Sequence, residues 1–231
     1  MTFDIPWNVW APIYAEILED FGFDRNEDER SRDLLETRCT SRHLTPRDLP
    51  TADEAVVGIA GGASTLEDEL DRIDDVDLLF AASTATNVLE THGTVPDLHV
   101  TDLDKDEELT VRRTHDNDPV VLHAHGDNRT ALNEYVPTME TEYVLPTSQA
   151  RPTSVVRNPG GFTDGDRAAF LAHTLGADAI VFLGWDFDDP SVGQEKRKKL
   201  RWAARLLHWL EQEREERFDV LDGLRGTVQE L

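Results

Sequence analysis

The feature that most constrains this chain is a series of short apolar runs of strand length, separated by segments with helical spacing. Residues 55–60 (AVVGIA), 77–82 (DLLFAA), 98–101 (LHVT), 119–124 (PVVLHA) and 177–183 (ADAIVFL) are such runs, and 142–145 fits a shorter one between the last two. Runs this short and this uniformly apolar read as strands buried on both faces. Alternating with helices, they predict an α/β fold: a mostly parallel, Rossmann-like sheet with helices on both faces. Helices are expected at 7–21, where Trp7, Trp10, Ile13, Ile17, Leu18 and Phe21 recur at helical spacing around Pro12, and over the charged stretch 24–38. Pro46 and Pro50 mark 44–52 as a linker. Further helices are expected after Ser64, where Ser64 and Glu67 suit a capping box, at 164–175, and at 194–217, where Leu200, Ala203, Leu206, Leu207 and Leu210 share a face. The expected division is an N-terminal helical segment (1–50), an α/β catalytic domain (51–190) and a long C-terminal helix packed on it (191–231).

Composition narrows the function. With 231 residues, 39% of them hydrophobic, a packed core is within reach. One cysteine, Cys39, excludes an internal disulfide framework and a thiolate zinc cluster. No apolar stretch reaches the roughly 20 residues that span a bilayer, and the N-terminal residues do not read as a secretion signal, so a cytoplasmic protein with no membrane partner is expected. A net charge of -24 argues against nucleic acid as a partner, because non-specific binding there relies on basic groups that release counterions from phosphates. Only four of the 23 basic residues are lysines. Many carboxylates with scarce lysine suggest a halophilic protein, since their mutual repulsion is tolerable where salt shortens the screening length to about 3 Å near 1 M. Most carboxylates are then solvation surface, and one proposed for chemistry must be argued from its position.

Position singles out a few segments, because ligands of open parallel sheets bind where strands exit. Gly61-Gly62-Ala63-Ser64 follows the first run, a glycine turn that either approaches a phosphate or simply turns the chain. Asp102 and Asp104 follow the third; two apart in an extended chain, they aim two carboxylates at one point, a donor set suited to Mg²⁺ with water and substrate phosphates. His123, His125, Asp127 and Asn128 cluster after the fourth, where imidazoles suit phosphate oxygens and Asp127 suits the same metal. Zinc, with two histidines and a carboxylate, is the rival there. Thr163, Asp164 and Asp166 follow a double glycine, with Thr163 or Asp164 also suited to capping a helix. Gly184-Trp185-Asp186-Phe187 offers an aromatic wall. Three of the four lysines fall at Lys196, Lys198 and Lys199, an arrangement at a helix start that asks for an anion nearby.

Assembled in order, GGxSxL, PDxxVTDLD, HAHGDN and GGFTDGDRA resemble the archaeal 6-hydroxymethyl-7,8-dihydropterin pyrophosphokinase family, whose catalytic domain resembles thiamine pyrophosphokinases. The resemblance covers about residues 55–205. It implies transfer of diphosphate from ATP to the hydroxymethyl group of a reduced pterin, with AMP released, in tetrahydrofolate or methanopterin synthesis. It also implies Mg²⁺ as cofactor, and ATP and a reduced pterin as small-molecule partners; a homo-oligomer stays open. Asp102 and Asp104 match the family's acidic motif, and Asp127 and His125 complete the expected catalytic set. Gly61, Gly62, Ser64, Ser83, His123, Asn128, Thr163, Asp164, Asp166, Lys196 and Lys199 are the expected nucleotide or pterin contacts. Two departures stand out: GGAS in place of GGGPS, and Ala82-Ser83-Thr84-Ala85 where related sequences have Ala-Asp-Gly-Ala. A thiamine diphosphokinase, a metal-dependent sugar transferase and a non-catalytic nucleotide-binding module are the alternatives.

Overall fold

Each long apolar run forms a strand, and within each compact unit neighbouring strands pair in parallel, as expected for strands joined by helical crossovers. A computed structural model describes residues 3–231. In chain order it contains α1 (Trp7–Phe21), α2 (Arg25–Cys39), β1 (Val56–Ala60), β2 (Leu78–Ala82), α3 (Ala85–Thr91), β3 (Leu98–Thr101), α4 (Glu107–His115), β4 (Val120–Ala124), α5 (Arg129–Tyr135), β5 (Val144–Ser148), α6 (Asp164–Thr174), β6 (Ala179–Leu183) and α7 (Gln194–Glu213). The α/β fold is as expected, with six parallel strands, an N-terminal helix pair and a long C-terminal helix. Among the described residues no helix is long and apolar enough to cross a membrane. The chain divides into two compact units: Met1–Thr51 with Asp97–Gly160, and Ala52–Pro96 with Gly161–Leu231.

The first unit holds α1, α2 and three parallel strands in the order β5-β4-β3. α1 runs through Pro12 and buries Trp10, Tyr14, Ile17 and Leu18. It stops at Gly22, whose φ of 70° is the left-handed value that ends helices. Asp24 then caps α2 by accepting the Asn26 amide at 2.9 Å. Leu35 and Cys39 of α2 join Leu103, Val120, Leu122, Leu132 and Val144 in one apolar core. That burial pushes the Cys39 thiol up to about 12. Register sets the height of the strand ends: Thr101 pairs with Leu122, so β4 runs two residues beyond β3 before it exits.

The fifth strand lies at 144–148 rather than 142–145. It includes Pro146, a residue that interrupts most sheets, but β4 is the strand β5 pairs with, and its other edge meets a single parallel bridge of Thr147 with Arg157, so a missing N–H is tolerated there. The Pro146 carbonyl meanwhile accepts the Arg157 amide at 2.9 Å.

The second unit has strands in the order β2-β1-β6, with a core of Ala60, Leu66, Leu79, Ala81, Ala85, Leu89 and Leu183. Residues Ser64–Asp75 form 3-10 turns preceded by Ala63, and Ser64 does not cap them, so the expected capping box is absent there. α7 buries Ala203, Leu206, Leu207 and Leu210 on the predicted face, with Leu200 only partly covered, and ends at Glu213. Its Glu211, 6% exposed, accepts from the Phe218 amide at 2.8 Å and from Arg225, which folds the C-terminal turns back onto the helix.

Candidate active site

At the exit of β3 the chain does not stay extended. Leu103, between the two aspartates, has φ 59° and buries its side chain to 2% exposure. The carboxylates still converge, with oxygens of Asp102 and Asp104 within 4.8 Å of each other. The reason differs from strand alternation: the chain turns at Leu103, so the Asp104 amide comes to 3.3 Å from Asp102 Oδ1 and the Leu103 amide to 3.1 Å from Thr101 Oγ1. Two amide donors, from Leu103 and Asp104, thus replace the lost strand pairing.

The exit of β4 supports this turn. Asp127 donates its amide to His125 Nδ1 at 3.3 Å, so Nδ1 carries the lone pair and Nε2 carries the proton. Nε2–H therefore donates to Asp102 Oδ2 at 3.2 Å. Asn128, 6% exposed, donates from Nδ2 to the Asp102 and His123 carbonyls, both at 2.7 Å, and accepts the His125 amide at 3.0 Å. One amide side chain thus ties the two strand exits together. His123 is 2% exposed and donates from Nδ1 to Thr147 Oγ1 at 3.1 Å, because that hydroxyl's own proton goes to the Leu122 carbonyl at 3.2 Å. Asp127 is exposed and does not join Asp102 and Asp104 at the 4.8 Å separation.

Behind both exits stands a residue that sequence reasoning passes over as part of a charged stretch. Asp28 of α2 is 2% exposed and accepts from the Gly126 amide at 2.7 Å, the Tyr14 hydroxyl at 2.6 Å and Gln149 Nε2 at 2.8 Å. Burial first, and then the Asp28 carboxylate, push the Tyr14 phenol well above its ordinary range. Nothing local in a chain with 47 acidic residues distinguishes this one.

In the second unit, the expected contacts lie at their own strand exits. A Cβ at Gly61 would come within 2.7 Å of the Gly184 carbonyl and 2.9 Å of Trp185 Nε1, so that glycine is explained by packing. Trp185 donates its indole N–H to the Ile59 carbonyl at 3.0 Å and stands against Phe182 and Phe187. At Gly62 a Cβ would meet Thr84 Oγ1 at 2.6 Å. Ser64 is exposed, and Ser83 has φ 50°, a left-handed conformation uncommon for serine. Before α6, Gly161 (φ 90°) lies so close to the Arg167 backbone that a Cβ would sit 2.6 Å from it, which accounts for that glycine. Asp166 is fully buried and accepts from the Phe162 amide at 2.6 Å, the Thr163 amide at 2.8 Å and the Thr163 hydroxyl. Burial raises its carboxyl against the opposing pull of those donors. Asp164 pairs with Arg167 at 2.8 Å. Lys196 is exposed, and Lys199 lies 3.5 Å from Glu195.

The donors at β3 fit Mg²⁺ chemically. They are hard carboxylate oxygens in a partly exposed position, and that ion keeps several waters beside one or two carboxylates. His125 fits zinc poorly in this arrangement, because Nε2 carries a proton donated to Asp102 and Nδ1 already accepts one.

A model of the family described as 6-hydroxymethylpterin diphosphokinase MptE-like matches residues 42–191. Three relatives bear the name 6-hydroxymethyl-7,8-dihydropterin pyrophosphokinase. The one from Methanothermobacter thermautotrophicus is 36% identical over 220 residues, covering 88% of this chain and 94% of the relative. That from Pyrococcus furiosus is 36% identical over 223 residues, with the same coverage of 88% and 94%. That from Methanocaldococcus jannaschii is 30% identical over 226 residues, with 87% and 94% covered. On a family match that spans both strand exits and relatives this similar along nearly their whole length, the chain belongs to the 6-hydroxymethylpterin diphosphokinase MptE-like family.

Proposed function

We propose that this protein transfers diphosphate from ATP to 6-hydroxymethyl-7,8-dihydropterin, giving the pterin diphosphate and AMP, in tetrahydrofolate or methanopterin biosynthesis. The observation that carries this reading is the match along 94% of a pyrophosphokinase of that name, in a chain whose two strand-exit carboxylates converge within 4.8 Å. The pterin hydroxymethyl oxygen attacks the β-phosphorus in line. The new O–P bond forms as the bond from the β-phosphorus to the oxygen bridging to the α-phosphorus breaks, and AMP leaves with that oxygen.

Positioning and electrostatics carry most of such a transfer, so no nucleophilic side chain is needed. Mg²⁺, held by Asp102 and Asp104, would supply neutralisation of the charge on the phosphate oxygens. His125 keeps Asp102 oriented through Nε2–H, and Asn128 keeps the Asp102 backbone in place. We assign the hydroxyl proton to Asp127, whose carboxylate is exposed at the β4 exit while both His125 nitrogens are engaged. Ser64, Ser83, Thr163, Lys196 and Lys199 keep their assignment as nucleotide or pterin contacts. His123, Asn128 and Asp166, each buried and bonded to its own surroundings, are assigned to shaping the strand exits.

The test is incubation with ATP and Mg²⁺ in high salt with either the hydroxymethyldihydropterin or thiamine, with AMP measured by chromatography. AMP with the pterin and none with thiamine is the expected result. AMP with thiamine instead, or bound ATP with no AMP from either acceptor, overturns the proposal.

A further inference from the structure

Within the first unit the N-terminal helices are held to the strands by more than apolar packing, and the polar part of that contact is unusual. Asp28 is 2% exposed, yet its carboxylate is fully engaged by three donors from three different segments. Tyr14 belongs to α1, Gly126 is the first residue after His125, and Gln149 is the first residue after β5. Burying a carboxylate with good partners adds little stability compared with an apolar side chain of similar size. What the three bonds do supply is position. Both strand exits, β4 and β5, are referred to one oxygen pair on a helix.

The contact is also close. A Cβ on Gly126 would meet Glu27 Cβ at 3.0 Å and Asp28 Oδ1 at 3.3 Å, so a side chain at 126 would press on α2 and push its neighbours there by a few tenths of an ångström. Arg129, just past the same turn, pairs with Glu27. Gly126 lies next to His125, and His125 holds Asp102 Oδ2 at 3.2 Å. A chain of direct bonds therefore runs from α1 through Asp28 and the β4 exit to the metal-suited carboxylate.

We propose that Asp28 is a positioning residue for diphosphate transfer: by holding the Gly126 amide it sets the place of His125, and through His125 the orientation of Asp102. This rests on the proposed function above. The substitution D28N keeps the shape and one acceptor oxygen, but it puts an NH₂ where one of the donors now points. Removal of a group that orients a metal ligand from behind typically lowers activity about 10–100-fold. The expected result for D28N is a fall of that size in kcat with KM for ATP and pterin within about twofold. I17A, which opens a cavity in buried Ile17 of α1 and touches none of these bonds, serves as a control of comparable destabilisation. It is expected to lower the unfolding temperature and leave kcat unchanged.

A second readout does not depend on turnover. Amide hydrogen exchange at residues 125–128 is expected to accelerate in D28N and to stay as in the wild type in I17A. If the wild type makes no AMP, the functional reading fails, and exchange at 125–128 still decides whether Asp28 holds this segment. If D28N does not fold, G126A tests the same contact from the other side with Asp28 intact, and the same loss of kcat is expected. Native kcat together with native exchange at 125–128 in D28N, or native kcat in G126A, overturns the proposal.

Discussion

At Leu103 two local forces oppose each other. A left-handed conformation costs a residue with a Cβ about 1–2 kcal/mol, while full burial of a leucine side chain contributes about 1.5–3 kcal/mol. Burial outweighs the strain, and it holds the turn that brings Asp102 and Asp104 together. The ordinary order of substitutions should therefore reverse here: Leu103→Gly, which loses the burial but relieves the backbone, should destabilise less than Leu103→Ala, which keeps the strain and creates a cavity worth about 2–5 kcal/mol. Urea unfolding of the two variants checks this, and an alanine variant more stable than the glycine variant refutes the strain. Asp102 makes the complementary prediction for activity. Asp102→Ala should lower kcat by about 10²–10³-fold or more, with the circular dichroism spectrum unchanged. Magnesium-dependent AMP release at the wild-type rate would remove Asp102 from the mechanism.

Between elements, the contact of β3 with α4 carries a pH dependence. His99 of β3 is 1% exposed and donates Nε2–H to Thr110 Oγ1 of α4 at 3.1 Å. That direction follows because the Thr110 hydroxyl gives its own proton to the Asp106 carbonyl at 3.3 Å. Burial, with help from the Arg113 guanidinium, pushes the imidazole down to about 3 from an ordinary 6.5. The folded protein thus keeps His99 neutral where the unfolded chain would protonate it. This contribution to stability is complete above pH 6.5 and is lost progressively as pH falls toward 3, by at most about 1.4 kcal/mol per pH unit. Guanidinium unfolding of the wild type and His99→Gln between pH 7.5 and 5 should show a shallower decline in the variant; parallel declines would mean that His99 already titrates normally in the fold. The elements also show where sequence reading falls short. The apolar runs placed the strands to within a few residues because burial on both faces demands such runs. Ser64 and Glu67 fitted a capping box, yet Ala63 precedes 3-10 turns there and the capping carboxylate is found at Asp166. A capping pattern is short and recurs by chance in an acidic chain, so only the backbone geometry decides which copy is used.

For the molecule as a whole, a net charge of -24 makes ionic strength a stability variable. Screening shortens from about 10 Å at 0.1 M salt to about 3 Å at 1 M, which relieves repulsion among exposed carboxylates while touching less a partly buried pair such as Glu211–Arg225. The unfolding temperature is expected to rise steadily from 0.1 to 2 M KCl, and a flat or falling profile by differential scanning calorimetry would refute a salt-adapted surface. By itself the sequence determined the parallel α/β class and the residues that stand at strand exits, because apolar runs and their spacing are local properties. It also placed Asp102 and Asp104 together at one strand exit and His125 at another, and the pairing of β3 with β4 brought those exits together. The tertiary structure alone decided which carboxylates are held in place and which merely dissolve the surface. Asp28 and Gly126 are 98 residues apart, and Asp28 and Gln149 121 apart, so neither bond leaves a mark in any local stretch of chain. An aspartate becomes a fixed point only when folding takes it out of water and brings it donors from elsewhere. In a chain this acidic, composition conceals that difference.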